Sequence, residues 1–300
     1  MAYASTGPIT LRTNLAEYPV SSAIRSGAVS SPIAKFDFCG PPLAHDGFKG
    51  MIRENAYDCG ELAIITFLQA RVYNKPYVLL PIPISGRFQH HCIGYNHELF
   101  GDLNPKDIEG FKVGCRTYAQ TTCLWTRGIL QHEYGVDLEK VTWVTVDDGH
   151  LAEHTDPPNC ERIQKGKKLD QMMLDGELKA AILGAFLPDD PRVRSLVPNP
   201  HEAAKEWYKR SGLIPINHMF VVHRDLAKAR PDVVKDIFRL LVESRKAAPA
   251  KALETIPPIG LEANRKGFQL AIDWSYEQKI IPRRMSVDEL FDDATANLMP

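Results

Sequence analysis

Residues 114–130 read GCRTYAQTTCLWTRGIL and contain the change from strand to helix on which the fold prediction rests. A short apolar run at 111–113 precedes them, and apolar side chains return with helical spacing from Leu124 onward. The Gln-Thr-Thr step at 120–122 lies between the two segments. It is the predicted start of the helix, because hydroxyl side chains are favoured at the N-terminal end of a helix. The free N–H groups and the positive dipole end of that helix would bind an anion.

Two arginines flank this step, Arg116 before it and Arg127 after it. A guanidinium group is planar and holds a carboxylate through two parallel hydrogen bonds, so the pair predicts a carboxylate site. An ordinary strand–helix unit with two solvated arginines has the same sequence pattern. Taken alone, the stretch supports both interpretations equally.

Length and charge limit the classes of function. The chain has 300 residues, enough for one large or two medium domains with a sizeable core. Its formal net charge is −1 and its isoelectric point is about 6.8, so nothing in its charge favours a nucleic acid or an anionic membrane as partner. No apolar run approaches the roughly 20 residues that a membrane-spanning helix needs.

The N-terminus and the cysteines predict a cytoplasmic location. The first residues, MAYASTGP, have neither the basic segment nor the apolar segment of a secretory signal. The cysteines lie far apart, with no CxxC pair and no zinc-type spacing, at Cys39, Cys59, Cys92, Cys115, Cys123 and Cys160. We therefore expect reduced thiols.

Short apolar or β-branched runs alternate with helical segments along most of the chain. The strands predicted from these runs cover residues 9–14, 34–38, 77–84, 92–95, 141–146, 180–183 and 218–222. The predicted helices include residues 169–174, 201–211 and 230–248, and the polar segments 147–168 and 188–200 are predicted to be loops. This alternation favours α/β layers with mostly parallel sheets.

The order of these elements resembles the type 2 periplasmic-binding-protein fold. The resemblance implies two lobes, each a mixed, mainly parallel sheet flanked by helices, with the chain crossing between lobes near 92–96 and 218–223. Lobe one would comprise residues 1–96 and 218–300, and lobe two residues 97–217. The ligand would bind in the cleft between the lobes.

Four motifs in this order narrow the resemblance to the 4,5-dihydroxyphthalate decarboxylase family. They are DCGEL at 58–62, RFQH at 87–90, the stretch 114–130 with its Tyr118, Thr121 and Trp125, and GLIPINH at 212–218. That family removes CO2 from a dihydroxylated aromatic dicarboxylate and leaves protocatechuate. The resemblance runs from about Tyr18 to the helix predicted at 230–248. Near its start the family tends to carry a Tyr-Asp-Arg-Thr type sequence, whereas this chain has Tyr18-Pro19-Val20-Ser21 and lacks the arginine.

The chemistry implied by the resemblance sets requirements for the site. Direct loss of CO2 from an aryl carboxylate would leave a localised and costly aryl anion. Protonation of the ring carbon, assisted by an ortho or para hydroxyl, followed by CO2 loss is easier. This route needs a general acid near that carbon, a group that handles the phenol proton, and cations that orient the carboxylate.

The candidates for proton transfer are His218, His90 and Glu61. The resemblance favours Glu61 and His90, with Arg87 in the loop before His90, and His218 lies at a predicted crossing between lobes. His90 and His91 are predicted to start a strand, so at most one of them would face the cleft, and the resemblance favours His90. Each candidate has a structural alternative. Glu61 is predicted to open the helix that continues through residues 64–68, where its charge would complement the helix dipole, and a lone histidine is more often structural.

The candidates for substrate binding contribute cations, hydrogen bonds or aromatic surface. They are Arg127, Arg87, Arg116, Tyr118, Gln120, Thr121, Trp125 and Tyr18. Trp125 would equally suit the core, and Tyr118 and Gln120 would equally cap the helix. The expected partner is a small aromatic carboxylate, and the sequence leaves a homo-oligomer open.

No cofactor is predicted, but one metal alternative is retained. Glu61, His90 and His218 would form a two-histidine, one-carboxylate set for a divalent ion that chelates a diol, although no spacing demands it. The acidic, histidine-containing stretch Asp147-Asp148-Gly149-His150 is predicted to be a solvated loop, with a cleft-facing histidine as the lesser alternative.

Two other functions fit the same fold. A solute-binding protein would hold an aromatic or other small carboxylate in the cleft without turnover, but it would carry an export signal or a lipid-anchor cysteine. A pyrimidine-precursor synthase would carry a cysteine-rich or histidine self-donor motif, which the sequence does not convincingly show.

Overall fold

The computed structural model describes residues 3, 6–163, 166–185 and 187–300. In these ranges the strands are β1 Ile9–Asn14, β2 Ala34–Asp37, β3 Cys59–Ala63, β4 Tyr77–Gly86, β5 Ile93–Asn96, β6 Lys112–Cys115, β7 Thr142–Thr145, β8 Cys160–Arg162, β9 Ala180–Ile182, β10 Val193–Ser195 and β11 Ile216–His223. The α-helices are α1 Ser22–Arg25, α2 Phe48–Glu54, α3 Ile64–Val72, α4 His97–Phe100, α5 Thr121–Tyr134, α6 Leu169–Leu174, α7 Pro200–Ser211, α8 Arg224–Ala229, α9 Pro231–Lys246, α10 Ala250–Leu253, α11 Leu261–Glu277 and α12 Asp293–Ala296. Short 3₁₀ turns cover Ala44–Gly47, Pro105–Ile108, Leu138–Lys140 and Asp288–Leu290. None of the helices in the described ranges is long and apolar enough to span a bilayer.

The first sheet has the strand order β2-β1-β3-β11-β4. Strand β1 pairs in parallel with β2 and β3, while β11 runs antiparallel to both β3 and β4. In this register Glu61 lies opposite Phe220, and Ala63 lies opposite His218. The sheet therefore places the Glu61 and His218 strands side by side.

The second sheet has the order β10-β5-β9-β6-β7-β8. Its strands from β9 through β8 pair in parallel, and β5 pairs antiparallel to β9 and β10. Both sheets are mixed, as predicted, but parallel pairing predominates only in the second one. The returning strand β11 is the cause, because it enters the middle of the first sheet against the direction of its neighbours.

The chain passes between the sheets at residues 87–92 and returns at 213–215. Strand β5 belongs to the second sheet, so residues 93–96 lie beyond the first crossing and not at the end of lobe one, where the sequence analysis put them. The second crossing lies just before β11, close to the expected position.

Helix α5 lies where the two halves of the chain share a hydrophobic core. It packs against α3 and α11, and one continuous cluster of buried side chains includes Trp125 of α5 and Trp274 of α11. The approach of the two helices is so close that a Cβ on Gly128 would lie 2.0 Å from the Trp274 ring. Helix α11 was not predicted, and its packing makes it part of the wall behind the cleft.

Most predicted elements are present, with three local errors. Glu61 lies in strand β3 and not in the first turn of a helix, because α3 begins only at Ile64. The segment 147–168 contains strand β8, and the segment 188–200 contains strand β10. Residues 164–165 of the first segment lie outside the described residues.

Candidate functional site

A cavity of about 370 Å³ lies between the two sheets. It is bordered by side chains from the first sheet and its helices, from the first crossing, from the start of α5 and from the loop after β7. These are Tyr18, His45, Phe48, Ala63, Ser85, Gly86, Arg87, Arg116, Gln120, Thr121, Thr122, His150, Asn217 and His218. An interlobe cavity with convergent polar groups is the expected form of a small-molecule site.

A carboxylate–imidazole pair forms the floor of the cavity. Glu61 Oε2 lies 2.8 Å from Nδ1 of His218, and Glu61 is fully buried while the His218 side chain remains 20% exposed. The other carboxylate oxygen, Oε1, accepts the backbone N–H of Ala16 at 2.8 Å. Since Nδ1 is engaged by the carboxylate, Nε2 is the ring nitrogen of His218 that remains for a ligand.

Local sequence explains why Glu61 can lie so deep. Gly60 precedes it, and a Cβ at this position would come 2.3 Å from the backbone oxygen of Asn14 on β1. Glycine thus lets β1 and β3 approach each other at the point where the carboxylate leaves the strand. Tyr18 lies beside the pair, and burial together with the Glu61 charge raises the pKa of its phenol far above the usual value. The Tyr18 hydroxyl therefore stays protonated.

Cationic groups line the opposite wall. Arg87 Nη2 donates to Thr122 Oγ1 at 2.9 Å, which connects the first crossing to the start of α5. Arg116 also faces the cavity, and its buried Nε has no hydrogen-bond partner among the described residues. The buried Oγ1 of Thr121, the first residue of α5, likewise lacks a partner in this part of the chain. Together with the helix N-terminus, these groups are suited to an anion.

The loop after β7 closes one side of the cavity, and we refer to residues 147–154 as the strap. Its His150 lines the cavity, and Nδ1 of that residue lies 2.7 Å from Thr66 Oγ1 on α3. The lesser alternative of the sequence analysis, a cleft-facing histidine, is thus the one observed. Burial, with nearby positive charges led by Arg116, lowers the pKa of His150 to about 3, so the ring is neutral near pH 7.

His90 does not join this site. It lies in the turn at the first crossing and not at the start of a strand, is buried against Trp207, and is absent from the cavity lining. Burial lowers its pKa to about 4. The prediction that His90 faces the cleft is therefore wrong, because the turn that precedes β5 directs the side chain towards α7.

Arg127 is a buried structural residue and not a carboxylate clamp. Its Nε donates to Gln278 Oε1 at 2.9 Å, its Nη2 donates to the Tyr118 carbonyl at 2.7 Å, and its guanidinium lies 3.8 Å from the centre of the Tyr118 ring. The Tyr118 hydroxyl donates to the Gln278 carbonyl, so neither residue reaches the cavity. Trp125 also turns away, since its Nε1 donates to the Ile216 carbonyl at 2.9 Å and its ring packs on Trp274.

The remaining candidates lie where the sequence put them. Arg87, Arg116, Gln120, Thr121, Tyr18 and His218 border the cavity, and Glu61 lies directly behind His218. The metal alternative is not supported, because His90 is elsewhere and the described residues contain no group of three His, Cys, Asp or Glu side chains arranged to hold an ion.

Sequence reasoning missed several lining residues. The Phe48 ring makes edge-to-face contacts with the rings of both His218 and His150, with centroid distances of 5.2 and 5.5 Å. Asn217 accepts a hydrogen bond from Gln89 at 2.9 Å. Of the missed lining residues it is the one that the sequence could have indicated, because it immediately precedes His218 in the motif at 212–218. His45 and Phe48 follow a proline pair in a region without periodicity, and no pattern singled them out.

Comparison with known proteins supports the motif-based resemblance. The chain is 27% identical over 218 residues to 4,5-dihydroxyphthalate decarboxylase from Comamonas testosteroni, covering 66% of this chain and 64% of that protein. It is 27% identical over 169 residues to the protein of the same name from Pseudomonas putida, covering 52% of this chain and 65% of that one. The chain thus spans just under two thirds of the length of these relatives. No protein-family model matches the sequence.

Solved structures confirm the fold class. The periplasmic aliphatic sulphonate binding protein SsuA from Escherichia coli superposes with a TM-score of 0.57 at 13% identity, over 96% of this chain and 93% of that one. A mutant of DSZB in complex with biphenyl-2-sulfinic acid superposes with a TM-score of 0.59 at 12% identity, over 96% and 98% of the two chains. The chain has the two-lobed periplasmic-binding-protein fold.

Proposed function

We propose that this protein is a lyase that decarboxylates a hydroxylated aromatic mono- or dicarboxylic acid, such as 4,5-dihydroxyphthalate, without oxidation. One observation carries the proposal, namely the buried Glu61 carboxylate hydrogen-bonded to Nδ1 of His218 at the floor of a cationic cavity. Binding alone would need the cations and the helix N-terminus, but it would not need a histidine paired to a buried carboxylate. Such a pair is suited to proton transfer.

The substrate carboxylate is assigned to the wall opposite His218. Arg116, Arg87 and the first turn of α5 at Thr121 present N–H and O–H donors there. Neither Nε of Arg116 nor Oγ1 of Thr121 has a hydrogen-bond partner among the described residues, so both can donate to an acceptor. An anion satisfies these donors, and the two-point geometry of a guanidinium fixes the plane of the carboxylate. The aromatic ring then lies between this wall and Phe48.

The proton step uses His218 in its protonated form. Nε2–H gives its proton to the ring carbon that bears the carboxylate, while electron density flows in from a ring hydroxyl para or ortho to it. The bond between that carbon and the carboxylate then breaks, CO2 leaves, and the bonding pair restores the aromatic ring. The ring hydroxyl releases its proton to solvent as it donates electrons and takes one back when the ring becomes aromatic again. His218 regains its own proton from solvent, so that one H⁺ is consumed overall.

Glu61 supports this step without contacting the substrate. Its carboxylate accepts from Nδ1–H, which fixes the tautomer and the orientation of the ring. The Ala16 N–H holds the other oxygen in place. Loss of charge from the substrate as neutral CO2 is favoured in a cavity from which water is displaced.

Two further observations support the proposal. The two curated relatives are both named 4,5-dihydroxyphthalate decarboxylase. All six cysteines are free, which agrees with a cytoplasmic setting for the enzyme.

The test is CO2 release from the purified full chain. The protein is incubated with 4,5-dihydroxyphthalate, other hydroxyphthalates and hydroxybenzoates, and CO2 and the ring product are quantified for wild type and for His218→Asn. We expect release by wild type and loss of release by the variant, which keeps the binding wall. Tight binding of the same acids by wild type without any CO2 would reject the decarboxylase and favour the solute-binding alternative.

A further inference from the structure

The strap is fastened to the first sheet and its helices by several independent contacts. Arg53 on α2 donates to the carbonyls of Gly149 and His150 at 2.7 and 2.8 Å. Lys75 pairs with Glu153 at 2.5 Å, and Leu151 is buried. The strap thus arises from the second sheet, borders the cavity through His150, and is held at residues 149–150 and 153 by side chains of the first lobe.

These contacts fix the His150 ring at the cavity beside His218. Nδ1 is engaged by Thr66, and the ring meets Phe48 edge-on at 5.5 Å, as the His218 ring does at 5.2 Å. Phe48 therefore contacts both imidazoles that border the cavity. His218 is paired with a carboxylate, whereas His150 is paired with a hydroxyl, so the two rings have different chemical properties.

The surroundings of His150 keep its ring neutral. Burial lowers its pKa to about 3, and the charges of Arg116, Lys49, His218 and His45 add to this effect. We assign Thr66 Oγ1–H as the donor to Nδ1, which puts the ring proton on Nε2. A neutral donor of this kind suits an oxygen that is uncharged or shares a delocalised charge, whereas the carboxylates are served by the arginines.

We propose that His150 is the specificity residue of the cleft, donating Nε2–H to a ring hydroxyl oxygen of the substrate and so selecting hydroxylated aromatic acids over their unsubstituted counterparts. This assignment rests on the proposed function for the substrate class. It adds a role for the strap, which brings the recognising group into the cavity when it lies against α2 and α3. A ligand without the hydroxyl displaces water from Nε2–H and leaves this donor unpaired in the filled cavity, which is how a polar pocket discriminates.

The test compares two ligands that differ only in their hydroxyls. Binding of 4,5-dihydroxyphthalate and of phthalate to the full chain is measured by calorimetry for wild type, His150→Phe, His150→Gln and the control His201→Phe, all four in the His218→Asn background, which prevents turnover during the titration. His201 is exposed and stacks on His91 outside the cavity. We expect wild type and the control to prefer the hydroxylated ligand about tenfold or more, His150→Phe to lose that preference, and His150→Gln to keep part of it through its amide N–H.

A second pair of variants tests the Thr66 contact without altering the ring. Thr66→Val removes the hydroxyl and should reduce the preference, whereas Thr66→Ser should retain it, and thermal unfolding verifies that each variant is folded. An equal loss of affinity for both ligands in the His150 variants, or no loss for either, would overturn the assignment. Wild type that prefers the hydroxylated ligand but releases no CO2 would reject only the proposed reaction, and wild type that binds neither ligand would reject both.

Discussion

Glu61 and His218 lie on neighbouring antiparallel strands, and the carboxylate Oε2 of one is 2.8 Å from Nδ1 of the other. The carboxylate is fully buried, and the imidazole is 20% exposed and lines the cavity. A strand pair holds both side chains more rigidly than loops would, since the main chain is fixed on both sides. Rigid support of this kind is what a proton-transfer pair requires.

Replacing Glu61 tests the charge of this pair. Glu61→Gln keeps the size of the side chain but cannot stabilise the imidazolium, so we expect kcat for CO2 release to fall about 10²-fold or more with a small change in KM. Steady-state kinetics on the folded variant measure the effect. Glu206→Gln on the exposed face of α7 is the matched control and should behave as wild type. An unchanged kcat in Glu61→Gln would remove the pair from the mechanism.

Arg116 should bind substrate without supporting the fold. Its side chain lines the cavity and its Nε has no partner in the described part of the chain, so Arg116→Ala removes a ligand contact and little else. We expect the dissociation constant for an aromatic carboxylate to rise about tenfold or more, as for a lost charge-assisted hydrogen bond, with a melting temperature close to that of wild type. Calorimetric titration and thermal unfolding of the same preparation give both numbers. A large drop in melting temperature would contradict the assignment.

Arg127 should show the opposite behaviour. Arg127→Ala breaks the hydrogen bonds to Gln278 and to the Tyr118 carbonyl, and it leaves a cavity beneath the Tyr118 ring. We expect a loss of about 3 kcal/mol in the free energy of unfolding. Denaturant titration measures this loss. The folded fraction should keep the affinity of wild type for the carboxylate, and weaker binding at unchanged stability would restore the clamp role that the sequence suggested.

The two arginines illustrate which features of the site could be predicted from the sequence and which could not. The helix start at Thr121 and the cleft position of His218 were predicted correctly, because the change of apolar spacing and the crossing between lobes have local signals. The capping argument was not confirmed, since the N-cap residue Gln120 makes no side-chain capping hydrogen bond. The face on which Arg127 lies was not predictable, since every residue from Thr121 to Leu130 is buried and no polar stripe marks one side. Strand β3 is likewise buried along its whole length, so its side chains show no alternation of polar and apolar residues. Glu61 was therefore misplaced in a helix.

The strap had even less signal. Its position depends on Arg53 and Lys75, which are far from it in sequence and bond largely to main-chain carbonyls or to one exposed carboxylate. Every residue type has a main-chain carbonyl, so a hydrogen bond to that group does not restrict which residue stands at the position. A polar loop that is solvated and a polar loop that closes a cleft therefore have the same composition.

His90 should make stability depend on pH. Its pKa in the folded protein is lowered to about 4 by burial, with His91 and Arg210 adding to the effect, whereas an unfolded histidine titrates near 6.5. As pH falls below about 6.5, His90 binds a proton in the unfolded chain but not in the folded chain. The free energy of unfolding therefore decreases progressively towards pH 4. Wild type should lose on the order of 1 kcal/mol more between pH 7.5 and pH 5 than His90→Phe does. Denaturant unfolding at the two pH values measures this difference, and parallel losses in the two proteins would contradict it.

Gly128 should tolerate no side chain, because its place in α5 faces Trp274 of α11. An added Cβ would lie 2.0 Å from one ring carbon and 2.3 Å from another, and the Trp274 ring is itself packed against Trp125 and stacked on His132. Alanine favours a helix by about 1 kcal/mol over glycine, so any destabilisation must come from this contact. We expect Gly128→Ala to lower the free energy of unfolding by about 2 to 3 kcal/mol.

The control for Gly128 separates the contact from the backbone. In the double variant Gly128→Ala, Trp274→Leu, the added methyl has room, so the cost of the alanine should shrink or change sign relative to Trp274→Leu alone. Denaturant unfolding of the four proteins gives the coupling free energy. Because α11 forms the wall behind α5, the same clash would displace the helix start at Thr121, and Gly128→Ala should also bind aromatic carboxylates more weakly. A variant as stable as wild type with unchanged binding would show that α5 and α11 are not in the close contact described.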